Sequence, residues 1–121
     1  MKTLIAILLF AWGAAAADSY FLITYTLGPG VNILSLTPEQ SGELAGHAQH
    51  ATKLMASGSL VAGGHTTDPT NVTGIAIVSA KDAAAARAMG EDRAVKKGIL
   101  KMVVQPFMLL KPEAPLAAAP R

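Results

Sequence analysis

Three histidines, His47, His50 and His65, are the residues of this chain best suited to proton transfer, because an imidazole can take or give a proton near neutral pH. A carboxylate that accepts one ring N–H fixes the tautomer and stabilises the imidazolium, so a histidine beside an acid makes a general base. His47 and His50, three residues apart, share one side of a helix, and His65 follows Gly63-Gly64, where it could approach them with Asp68 as a metal site. Three histidines without a tight ligand motif do not make that pattern, so no metal or other cofactor is expected. With no cysteine, the chain has no disulfide, no thiolate ligand and no sulfur nucleophile.

Other candidate residues are assigned by their surroundings in the sequence. His65 is expected at the rim of a pocket, and Tyr25, in an apolar strand, at its wall. Arg93, Lys96, Lys97 and Lys101 form the basic cluster. It reads as a solvated face from which Arg93 can attract a carboxylate or phenolate ligand. Gly28-Pro29-Gly30 is a turn, since no glycine-rich loop leads into a helix bearing Lys-Ser or Lys-Thr, and nucleotide binding is not expected.

The elements that must position these groups follow from periodicity and punctuation. Ser19 to Thr26 is aromatic and β-branched and reads as a buried strand. Thr37-Pro38-Glu39-Gln40 offers an N-cap, a proline at the first helical position and a capping-box glutamine, predicting a helix from Pro38 to about Ser57 that stops at Gly58. Its apolar stripe, Leu44, Ala48, Ala51 and Met55, is expected to face the core, with His47 at the stripe's edge and His50 turned toward solvent.

Two paired short strands, Leu60 to Ala62 and Gly74 to Val78, are followed by a capping-box spacing at Ser79 to Asp82 and an alanine-rich helix to Met89. Glu91 to Lys97 can add a turn. Ile99 to Leu110 reads as a last strand with Pro106 on an edge or bulge. The order is β-α-β-β-α-β, an α+β, ferredoxin-like domain over residues 18–111. Consecutive apolar residues in the first and last strands predict that both sheet faces are buried, and hence a homodimer with stacked sheets.

The flanks read differently from this domain. Lys2, the apolar run from Thr3 to Trp12 and the small residues Ala15-Ala16-Ala17 have the layout of a signal peptide, residues 1–17, cut before Asp18. The apolar run is shorter than the roughly 20 residues of a transmembrane helix. Losing Lys2 takes the net charge from +2 to +1, which gives no footprint for nucleic acid. A periplasmic or secreted protein, with no membrane attachment after cleavage, is the expectation. Residues 112–121 are Pro/Ala-rich and read as a disordered tail.

The stretch from His47 to Gly64, with a helical histidine, a glycine eleven positions on and a strand ending in glycine, resembles the signature of the YCII-related family. Asp92-Arg93-Ala94-Val95-Lys96-Lys97-Gly98 is similar to that family's aspartate segment before the last strand. The resemblance implies a dimeric α/β-barrel and a catalytic His/Asp pair, which falls on His47 and Asp92. One branch of the family is associated with eliminating chloride from a hydroxylated aromatic ring. Here Leu44 stands where the family often has arginine, Arg93 where it has proline, and Gly64-His65 replaces its Gly-Pro. The resulting expectation is a small-molecule lyase or isomerase with His47 as base and Asp92 orienting it. The alternative is a non-catalytic periplasmic module binding a small ligand or a metal.

Overall fold

The computed structural model describes residues 19–110. The expected signal peptide and Pro/Ala-rich tail lie outside the described residues. Four strands, β1 (Ser19–Leu27), β2 (Leu60–His65), β3 (Thr73–Ala80) and β4 (Leu100–Phe107), form one antiparallel sheet in the order β2-β3-β1-β4. Three helices, α1 (Pro38–Ala56), α2 (Ala83–Gly90) and α3 (Arg93–Lys96), complete the described residues as an α+β unit compatible with a ferredoxin-like arrangement.

Local chemistry explains most boundaries. Thr37 Oγ1 accepts from the Gln40 N–H at 3.1 Å, and Gln40 Oε1 accepts from the Thr37 N–H at 3.0 Å, the reciprocal box that starts α1. β2 runs past Ala62, because Gly63, Gly64 and His65 continue to pair with Ala76, Ile75 and Gly74. The start of α2 corrects the sequence expectation. Ser79 remains in β3, its N–H on the Ser59 carbonyl, and Asp82 is the cap, Oδ1 accepting from the Ala85 N–H at 2.8 Å. β4 stops at Phe107 rather than Leu110, leaving Met108 and Leu110 exposed. It is an edge strand, which tolerates the missing N–H of Pro106.

Alternation along the strands puts Phe21, Ile23, Tyr25, Ala76, Val78, Ala80 and Leu100 on the face that the helices cover. Ala86 of α2 and Ala94 of α3 are buried against that face. Helix α1 buries no residue. Of its expected core stripe, Leu44 and Ala51 are half-buried, whereas Ala48 and Met55 are exposed and Met55 retains 58% of its accessible surface. Leu44 and Ala51 pack against the edge of the core and the stripe also borders a hollow, with α1 resting on β2 and α3. The opposite sheet face carries Leu22, Ile75, Ile77 and Val103 in register, with Ile75 and Val103 exposed.

Candidate functional site

His47 sits at the middle of α1, on the side turned toward the α2–α3 connection. Its Nδ1–H donates to Asp92 Oδ2 at 2.6 Å, a charge-assisted bond between a half-buried ring and a carboxylate with 10% of its side-chain surface exposed. The acceptor is a carboxylate oxygen, so Nδ1 carries a proton, and in the neutral ring Nε2 holds the lone pair. Nε2 has no partner among the described residues, and none of their buried side-chain nitrogens or oxygens is unsatisfied, so this atom is open to solvent or to a bound molecule.

Asp92 performs two tasks with its two oxygens. Oδ1 accepts from the Val95 N–H at 3.2 Å and caps α3, while Oδ2 holds His47. The aspartate is therefore cap and dyad partner together. Helix α3 ends at Lys96 with Lys97 as its C-cap, and Gly98, whose φ of +75° suits glycine, turns the chain into β4.

A cavity of about 500 Å³ lies between α1 and the sheet. Its wall includes Ile23, Leu27, Leu44, Leu54, Val78 and Leu100, and among the described residues it has no lysine, arginine, aspartate or glutamate. The titratable residues that line it are Tyr25 and the three histidines. On the other side of His47 is a polar cleft of about 330 Å³, bordered by Glu43, Lys53, Asp92, Arg93 and Lys96. His47 borders both spaces, whereas Asp92 borders only the cleft. A molecule in the apolar cavity therefore meets the imidazole and not the carboxylate. In that apolar setting the ring is the group able to accept a proton, and the acid behind it stabilises the resulting charge.

Tyr25 is buried, its ring edge-on to His47 with centroids 4.6 Å apart. Burial, and secondarily the charge of Asp92, pushes its phenol above the ordinary value, so it remains a donor, and its hydroxyl donates to the Gly90 carbonyl at 2.8 Å. Tyr25 and His65 both line the apolar cavity. His65 is exposed, its Nδ1–H donating to the Thr66 carbonyl at 3.0 Å.

Arg93 lies largely exposed at the polar cleft, beside His47 and Asp92, and does not line the apolar cavity. Its guanidinium is bidentate on Glu43, at 2.9 and 3.3 Å, and it borders the polar cleft. Lys97 joins Glu39 and Glu43 at 3.0 and 3.1 Å, so much of the basic cluster ties α3 to α1 instead of awaiting an anion. Arg93 first, and Lys97 with it, holds the Glu43 carboxyl below its ordinary range.

His50 does not turn to solvent. It is half-buried, and Nε2–H donates to the Met89 carbonyl at 2.6 Å. Sequence reasoning missed this role because the partner is a main-chain oxygen, a group every residue carries. The available signal was its position on the same side of the helix as His47. Among the described residues no three His, Cys, Asp or Glu side chains gather as a metal site, and no helix is long and apolar enough to cross a membrane.

Neither a protein-family model, nor a curated protein, nor a solved structure matches this chain.

Proposed function

We propose that this protein is an exported, YCII-like lyase or isomerase that acts on a compact, largely apolar small molecule, with His47 as general base. The observation that carries the reading is the 2.6 Å bond from His47 Nδ1 to Asp92 Oδ2, on a ring that also borders a cavity of about 500 Å³ with no charged residue among its described lining. Nε2 removes a proton from the substrate, leaving the electron pair on the substrate, and Asp92 stabilises the imidazolium. Return of that proton to a different atom completes an isomerisation. Departure of a leaving group with an electron pair completes an elimination.

The same reading includes a homodimer formed through the apolar face bearing Leu22, Ile77 and Val103, and export directed by residues 1–17. Mature protein is expected to run as a dimer by light scattering, and a monomer at micromolar concentration removes that part.

A second reading, a binding module without turnover, is favoured by the cavity wall itself. It offers no further acid or cation to support charge developing at the far end of a reacting molecule. A thermal-shift screen of uncharged apolar compounds, followed by incubation of the hits in D2O, separates the two. An enzyme places deuterium in, or converts, a bound compound, and His47→Ala lowers that rate by about 10²–10⁴ while binding persists. Hits that bind without exchange or conversion in either protein establish the binding module. Conversion unaffected by His47→Ala rejects the assigned base.

A further inference from the structure

The acid of the dyad is only as well placed as the chain leading to it, and that chain leaves the end of α2. The last carbonyls of a helix lack intrahelical donors and must find others. Here two consecutive ones are satisfied by side chains from different elements. The Met89 carbonyl accepts from His50 Nε2–H of α1 at 2.6 Å, and the Gly90 carbonyl accepts from the Tyr25 hydroxyl of β1 at 2.8 Å. The Gly90 carbonyl also accepts from the backbone N–H of Asp92 at 3.1 Å, which links the tyrosine to the aspartate through one oxygen.

Close packing adds to these bonds. A Cβ at Gly90 would lie 2.8 Å from both Ile23 Cδ1 and Tyr25 Oη, so only glycine lets this turn settle so deeply on the sheet. Burial keeps the Tyr25 phenol protonated and thus a permanent donor.

We infer that His50 and Tyr25 are positioning residues, which pin the Met89 and Gly90 carbonyls so that Asp92 Oδ2 meets His47 Nδ1. Helix α1 thereby carries the base and, one turn later, the clasp on the base's partner. The significance of the clasp for chemistry rests on His47 being the proton acceptor. Its existence does not, and the experiment reads the pair directly.

Proton-nitrogen correlation spectra of the ¹⁵N-histidine-labelled full chain report which ring nitrogen carries the proton. In the wild type His47 is protonated at Nδ1 and His50 at Nε2, the opposite pattern on neighbouring turns. His50→Ala shifts His47 toward the Nε2–H form and removes the low-field signal of its bonded Nδ1 proton. His50→Gln, whose amide N–H can reach the same carbonyl, restores both. Tyr25→Phe, which deletes only the hydroxyl, gives the same shift and decides the matter should His50→Ala not fold. A folded His50→Ala or Tyr25→Phe protein in which His47 keeps its Nδ1 proton overturns the clasp. A clasp upheld by these spectra, alongside compounds that bind without conversion, would retain the positioning and discard only the enzyme.

Discussion

The helix-covered face of the sheet is built in two ways. Beneath α2 and α3 it is closed, with Ala86 and Ala94 buried and Gly90 so tight on Ile23 and Tyr25 that no side chain fits. Beneath α1 it is open, with no buried helical residue and a cavity where a core would be. Helix α1 rests on the core only through the partly buried Leu44, Ala51 and Leu54, and is tied down besides by the Glu39 and Glu43 bridges to Arg93 and Lys97 and by the bonds of His47 and His50. Full burial makes the closed side stable, and partial packing with polar bonds holds the other helix beside a hollow. The His47–Asp92 pair lies on the seam, which is where a side chain can face an apolar space while keeping a charged partner.

Truncation should distinguish the two sides most strongly. Phe21→Ala, in the closed core, is expected to cost about 3–5 kcal/mol in chemical denaturation, against about 1–2 kcal/mol for Leu54→Ala at the half-buried cavity wall. Equal losses would mean that α1 is as well packed as α2.

Enlargement sharpens the same contrast with opposite signs. Ala94→Leu forces three carbons into a filled site and should lose about 1–3 kcal/mol. Ala51→Leu projects into the cavity, should leave the melting temperature unchanged or raised, and should abolish the thermal shift given by any cavity ligand. Retention of that shift would place the ligand elsewhere.

The smallest effect concerns the margin. Glu43 titrates below the ordinary glutamate value of 4.5 in the folded protein, so its stabilisation is fully present above that value and is lost as pH falls through the lower folded one. Glu43→Gln should therefore lower the neutral melting temperature slightly, by the small amount expected of solvent-facing pairs, and converge with the wild type in acid, which flattens the limb below about pH 4.5. An unaltered acid limb would remove Glu43 from the suspension of α1.

Much of the fold was legible because its signals are local. The Thr37 to Gln40 box and the stop at Gly58 appear in the structure as read, and the four strands appear in the expected order with β2 longer and β4 shorter than read, since each depends mostly on residues within one turn or one strand. Ser79 misled because its spacing to Asp82 mimics a capping box, but pairing with β1 kept it extended and passed the cap to Asp82. The stripe of α1 was correctly found, but only its Leu44 and Ala51 pack against the core. Periodicity marks which side of a helix is apolar, whereas the distance from that side to the sheet depends on what supports the helix at its ends.

The site divides along the same line. His47 at the edge of an apolar stripe, and Asp92 before a short turn and a last strand, are facts of residue order. That order also places Gly90 and Gly98, where the chain must pass close or turn with positive φ. Tertiary structure alone decided that Oδ2 of Asp92 meets Nδ1 of His47, that Arg93 serves Glu43, and that His50 grips a carbonyl of α2. These are contacts between residues 39 to 50 positions apart in the chain. Such contacts arise where elements dock, and docking is set by the summed packing of the whole sheet rather than by any one segment.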